Sequence, residues 1–559
     1  MSSLPDIISP AGAIDTVGQS SPCYWQSGEN SQLHQLADLP EQLRHIDVPF
    51  SLVEDKSDVA IALGGSIQFS DTGTSDNNHT LVAFAPKQAI TSLGDKQFCQ
   101  DYKIKYPYMT GSMANGIAST ELVEAIANAD MLASFGAAGL PLAEIEKAIK
   151  RLKKSLPAKP YCFNLIYSPN EKGHEDAVVD LFLRYGIDLV EASAYMKLTL
   201  PVVRYRVKGL HKDSHGNIIV PNRIIAKASR VELASKWFSP PPEKLLNELL
   251  KQGAITEQEA ELGKHIPMAQ DLTVEADSGG HTDNRPAITL LPTMLALRDQ
   301  YQAKYNYKQQ LRIGAAGGIA IPASALGAFA MGAAYIVTGT VNQACKESGS
   351  SDTVRQMLAN AEQADVTMAP AVDMFEMGVK LQVLKRGTMF AMRGNKLFEI
   401  YKKYASIDDI PEADKINLEK NIFKMSLHEV WQKTEEFFRD RDPSQLEKAI
   451  NNPKHKMALI FRWYLGLSSR WANAGVEDRQ VDYQVWCGPA MGAFNEWTRD
   501  TFLSEPANRD AVTVAMNILF GAAVLSRINS ILKQGCELSG ELTRFQPMQL
   551  NTINKYLSE

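Results

Sequence analysis

Between about residues 101 and 370 the sequence repeats one pattern: a short apolar run, a loop, then an amphipathic helical stretch. The apolar runs fall at 108–111, 131–135, 162–166, 189–192, 224–228, 268–276, 311–315 and 335–339. Helical spacing of apolar residues marks 120–128, 142–156, 175–185 and 290–304 between them. Eight strands, each followed by a helix over about 250 residues, predict an α/β fold of the TIM-barrel, (β/α)₈, type. An open doubly wound sheet shares this alternation and is the other candidate. The stretch 237–265, with PPPEKLLNELLKQG, is too long for one barrel helix, so a helical insertion is expected at about 234–266.

Residues 313–345 contain no Asp, Glu, Lys or Arg, and the length alone would span a bilayer. Gly317, Gly318, Pro322, Gly327, Gly332 and Gly339 interrupt it too often for one helix, so no membrane span is expected there. Buried parallel strands are uncharged for their own reason: both faces are covered. Over the whole chain of 559 residues the formal net charge is −6, which gives no electrostatic case for nucleic acid. The first arginine is Arg44 and the first lysine Lys56, so a basic leader is not expected. Six widely spaced cysteines suggest neither a disulfide framework nor a zinc ribbon. A cytoplasmic protein is the expectation.

Residues 1–100 read as an accessory segment with short strands at 59–63 and 80–85 around a polar DTGTSDNN turn. The barrel is assigned to 101–370. Residues 371–559 read as a C-terminal helical region or cap, from patterns at 418–438, 457–467 and 512–532.

In a barrel, chemistry sits at the C-terminal ends of the strands. The first strand leads into Gly111, Ser112 and Met113, small enough for a ligand plane or simply a tight turn. Asn164 ends the third, where it bonds either backbone or the edge of a heterocycle. Lys227 lies inside the fifth, paired with a carboxylate or facing an anionic cofactor. After the sixth comes Asp277-Ser278-Gly279-Gly280-His281, which brings one imidazole to the barrel mouth as a candidate proton donor. Asp277, His281 and Asp283 form a weaker metal set without a second nearby histidine. Gly317 and Gly318 follow the seventh strand, Gly339 and Thr340 the eighth, where backbone N–H groups of such barrels cradle phosphate. His211 and His215, in HKDSHGN, read as an exposed hairpin.

The motifs YPYMTGSMANGIAS, CFNLIYSPNE, EADSGGHTDNRPA, IGAAGGIAIP and MGAAYIVTGTVNQAC resemble those of the PfaD-type enoyl reductases of polyunsaturated fatty-acid synthases and their trans-acting polyketide relatives. The likeness runs through DYQVWCGPAMGAFNEW, covering about 100–525. It implies an FMN-dependent barrel that reduces a carrier-bound 2-enoyl chain with NADPH or NADH. Gly111, Ser112 and Met113 would line the isoalloxazine, with Asn164 at its pyrimidine edge and Lys227, Asp277 and Gly280 nearby. Gly317, Gly318, Gly339 and Thr340 would hold the phosphate, and His281 would be the catalytic histidine. The wider superfamily often has Glu where this chain has Asp277. Acyl-carrier-protein domains are the implied partners, and a homodimer is possible. Lys380, Lys385, Arg386, Arg393 and Lys396 are either a carrier-docking cluster or ordinary helix-surface charge. Two rival readings stand beside the reductase: a nitronate-monooxygenase-like oxidase and a non-catalytic assembly protein of a megasynthase.

Overall fold

A computed structural model of the chain describes residues 23–56, 58–69, 78–168 and 173–558. The serine-rich start and nearly all of the DTGTSDNN turn lie outside these residues, as does the end of CFNLIYSPNE.

All eight predicted barrel strands form: β1 Tyr108–Thr110, β2 Leu132–Phe135, β3 Cys162–Ile166, β4 Leu189–Ser193, β5 Arg223–Ala228, β6 Asp271–Glu275, β7 Arg312–Ala316 and β8 Tyr335–Thr338. Each pairs in parallel with the next, and β8 closes on β1 with Ile336 opposite Tyr108. The open-sheet alternative is thereby excluded. Every residue of β7 and β8 is buried, and apart from Arg312 both strands fall within the uncharged stretch. Arg312 at the start of β7 stays buried because it pairs with Asp271 of β6, Nε to Oδ1 at 2.6 Å. After β5 come three helices, Val231–Phe238, Glu243–Lys251 and Glu257–Gly263. A capping box between Thr256 and Glu259 starts the last of these.

The chain from 371 reads as helical, but a pair of strands straddles its start before the helices begin. Val366–Pro370 pairs with Lys380–Leu384, and the latter pairs with a two-residue strand, Gly280–His281. Isolated apolar runs broken by Pro and Gly carry no helical period, so this small sheet arises from pairing distant in sequence. Helices Phe390–Lys403, Leu427–Arg441 and Pro453–Ala474 follow. Phe390, Leu397, Phe423, Val430, Phe461 and Tyr464 form part of one core beneath them.

The chain folds into two compact units. One runs from Gln97 to Ala320 and from Met331 to Val512. The other gathers the described residues up to Lys96, Ile321–Ala330, and the chain from Thr513. The division by contacts therefore cuts across the expected 1–100, 101–370 and 371–559 segments. In the second unit, the two expected strands belong to a six-stranded antiparallel sheet. Helix Ala511–Leu532 is, among the described residues, the one helix long and apolar enough to cross a membrane. As in a core helix, 83% of its most apolar window is buried within the fold. Its Arg527 is fully buried and donates to the carbonyls of Gln42, Leu43, His45 and Val48.

Candidate active site

The C-terminal ends of the barrel strands open into a cavity of about 920 Å³. Gly111, Ser112 and Met113 line it after β1, Asn164 on β3 and Lys227 on β5. Gly280 and His281 line it from the loop after β6, Gly317 and Gly318 after β7, and Gly339 and Thr340 after β8. Residues from Gly111 to Thr340 thus meet because parallel strands all end at one rim.

Close approach requires glycine at two of these positions. A Cβ on Gly317, at φ +82°, would stand 2.6 Å from the Ala276 carbonyl oxygen. A Cβ on Gly111 would come within 2.9 Å of Val337. Gly318 and Gly339 differ, since a Cβ on either would meet open space. The two glycines before His281 also have separate reasons. Gly279 packs backbone to backbone on Cys487 and Gly488, where a Cβ would lie 2.8 Å from the Cys487 nitrogen. Gly280 adopts φ +83°.

Lys227 realises the ion-pair reading while also lining the cavity. Its Nζ lies 2.8 Å from Glu275 and 3.9 Å from Glu191. Strand register explains the trio: β5 lies between β4, which carries Glu191, and β6, which carries Glu275. Burial would lower the ammonium pKa, but Glu275 and then Glu191 outweigh it and raise it. Glu191 also accepts from the backbone N–H of Ser112 at 2.7 Å and from the Ser112 hydroxyl. Asn164 directs its amide N–H groups to the Glu191 carbonyl at 3.1 Å and the Ser193 hydroxyl at 2.8 Å.

His281 is held by Asp373, which the sequence reading did not single out; Nε2 lies 3.2 Å from its Oδ1. Burial alone would lower the imidazole pKa, but the charge and hydrogen bond of Asp373, with Glu275 adding, raise it above the ordinary value. Burial pushes Asp373 upward, yet His281 overrides this and leaves the carboxyl lowered. A carboxylate can only accept, so Nε2 carries the hydrogen of this bond and Nδ1 is the nitrogen that can serve a ligand. The available signal was an aspartate between apolar residues in AVDMF.

Asp277 does not join the other predicted residues. Its Oδ1 accepts from Asn284 at 2.8 Å and Gln382 at 2.9 Å, fastening the loop to strand Lys380–Leu384, and it does not line the cavity. The metal set does not assemble either. Asp283 pairs with Arg230 and Ser229, chiefly through the arginine hydrogen bonds its pKa falls to about 2, and no metal-binding group forms among the described residues. His211 and His215 lie on an exposed hairpin, as expected.

Residues 96–399 match the family model described as nitronate monooxygenase. Residues 404–483 match one described as the inserted helical domain of [acyl-carrier-protein] S-malonyltransferase. The crystal structure of the enoyl reductase domain of MlnA, from the macrolactin cluster of Bacillus amyloliquefaciens, is 38% identical with a TM-score of 0.75. The alignment covers 79% of this chain and 100% of that domain. The chain belongs to the PfaD-type enoyl-reductase family. Two further relatives widen the family. A polyunsaturated fatty acid synthase component of Thraustochytrium sp. (strain ATCC 26185 / S-3) is 46% identical over 90% of this chain and 33% of its own length. Polyketide biosynthesis protein PksE of Bacillus subtilis (strain 168) is 44% identical over 78% of this chain and 56% of its own. The chain thus spans between a third and just over half of these longer proteins. In this PfaD-type chain, both regions matched by family models line the one cavity.

Proposed function

We propose that the chain is an FMN-dependent enoyl reductase that uses NADPH or NADH. Its substrate would be the 2,3 double bond of enoyl thioesters on acyl carrier protein, during polyunsaturated fatty-acid or polyketide synthesis. The observation that carries this reading is a single cavity that unites two glycine turns with a carboxylate-held imidazole.

The residues present fit the cofactor. Gly317, Gly318, Gly339 and Thr340 offer backbone and hydroxyl groups with no carboxylate among them, a donor set suited to phosphate. The open space beyond Gly318 and Gly339 is what a bound group would fill. Gly111, Ser112 and Met113 would line the isoalloxazine and Asn164 its pyrimidine edge, with Lys227 and Gly280 close by. FMN, when bound, supplies hydride for the β-carbon of the enoyl thioester.

The chain's own residues would do the rest. His281 would deliver a proton from Nδ1 to the α-carbon while Asp373 keeps the ring charged and oriented. The pair of Glu275 and Lys227 fixes a charged wall on the same rim. A well-placed general acid contributes about 10²–10⁴ in rate.

The nitronate-monooxygenase match supports one other reading, an oxidase that consumes oxygen without a nicotinamide. Stopped-flow absorbance separates the two. A reductase shows yellow flavin bleached by NADPH or NADH and reoxidised at once by an enoyl thioester under nitrogen. Bleaching by a nitronate alone, with no response to enoyl thioester, would replace the reductase with the oxidase.

A further inference from the structure

The regions matched by two family models meet at the turn that carries Asp373. This turn joins strands Val366–Pro370 and Lys380–Leu384, within the stretch matched to nitronate monooxygenase. Helix Pro453–Ala474, within the helical region 404–483, packs one face against it. Arg462 brings Nη1 to 3.3 Å from Glu376 Oε1. His455, two turns earlier and so on the same face, brings Nδ1 to 3.9 Å from the same oxygen. Phe461 meets Phe375 edge to face with ring centroids 6.4 Å apart. A Cβ on Gly466 would stand 3.6 Å from Val372. The helix thus holds the turn on both sides of Asp373, at Val372 and at Phe375 and Glu376.

Within this contact Arg462 is the residue that packing explains least. Its side chain is 13% exposed, it lines the cavity, and its Nε is shut away from solvent without a hydrogen bond. A largely buried guanidinium with one nitrogen unpaired is costly, and an apolar side chain would fasten two elements at least as well. What an apolar side chain could not supply is charge. Arg462 draws Glu376 in, and its charge also helps to keep the Asp373 carboxyl lowered.

We propose that Arg462 is a positioning residue: by holding Glu376 it keeps the turn in the conformation that aims Asp373 at His281. The helical region would then be part of the proton-donor machinery, although the imidazole and its carboxylate both come from the barrel match. What the His281–Asp373 pair does chemically rests on the reductase reading; that Arg462 controls the pair does not.

NMR titration of the imidazoles in the full chain, with His281→Gln to assign its signal, tests the coupling without turnover. The sign decides between two roles. Asp373, with Glu275 adding, raises the His281 midpoint. If Arg462 holds Asp373 in place, Arg462→Met should lower that midpoint, as Asp373→Asn does. A cation that merely stood near the histidine would do the reverse, since its loss raises the midpoint. Arg462→Lys, which keeps a charge for Glu376, should restore most of the shift. In an Asp373→Asn background Arg462→Met should lower the midpoint no further, because residues that act through one another are not additive. Glu376→Gln approaches the same ion pair from the turn and should also lower the midpoint, so the test survives an Arg462→Met chain that fails to fold. A midpoint that rises or stays still, or a fall that persists without the Asp373 carboxylate, overturns the proposal. Turnover is scored separately: Arg462→Met should lower kcat for an enoyl thioester about tenfold with KM little changed. A wild-type chain that reduces no enoyl thioester would defeat the reductase reading and leave the NMR result to judge the coupling.

Discussion

His281 and Asp373 are 92 residues apart in sequence and share one hydrogen bond at the cavity. Asp373 touches no reacting atom in the proposed chemistry and acts through the histidine. Among the charged groups acting on this pair are Glu275 toward the histidine and Arg462 toward the aspartate. A proton donor works below its pKa, so activity should fall as pH rises through the raised imidazole value. Asp373→Asn keeps an acceptor but removes the charge, and the falling limb of kcat/KM should move to lower pH. His281→Ala should lower turnover about 10²–10⁴-fold and abolish the limb. An Asp373→Asn enzyme that is slower at every pH, with the limb unmoved, would reduce the aspartate to a packing role.

At the scale of elements, the loop after β6 is set by two glycines with opposite needs. Gly279 has ordinary backbone angles but no room, and Gly280 has room but a left-handed backbone. Gly279→Ala must push apart the segment at Cys487 and Gly488, at a cost of about 1–3 kcal/mol. Gly280→Ala bears only local strain, about 1–2 kcal/mol. Urea unfolding followed by tryptophan fluorescence should rank them in that order, and equal costs would show that the backbone contact yields freely. The Gly-Gly motif was legible as a loop that presents His281. That one of its glycines serves the distant segment at Cys487 was not, because close approach of two backbones leaves no periodic trace.

At the scale of the whole barrel, the rim with the cavity and the opposite end do different work. At the opposite end Asp271 takes two hydrogen bonds from Arg312 and one from the Tyr102 hydroxyl at 2.6 Å, all buried. Asp101 adds a second carboxylate to Arg312 at 2.7 Å. Removing one member of a buried pair typically costs about 3–5 kcal/mol, since the other charge keeps its desolvation penalty. Asp271→Ala should therefore lower the thermal midpoint clearly while turnover per folded molecule stays unchanged. A loss of turnover at unchanged stability would mean that this end of the barrel communicates with the rim.

The sequence alone determined the barrel, because buried strands and amphipathic helices impose their own spacing over short windows. Of the twelve site residues expected from the sequence, eleven line the cavity at the rim, because in this fold strand ends share one face. Tertiary structure decided the rest. It turned Asp277 toward Asn284 and Gln382, joined Lys227 to two carboxylates and brought Asp373 to His281. It also set Arg462 of the helical region against the turn that carries Asp373 and grouped the first and last segments of the chain into one unit. Each of these is a pairing between distant residues, fixed by packing and charge in three dimensions and carried by no local pattern.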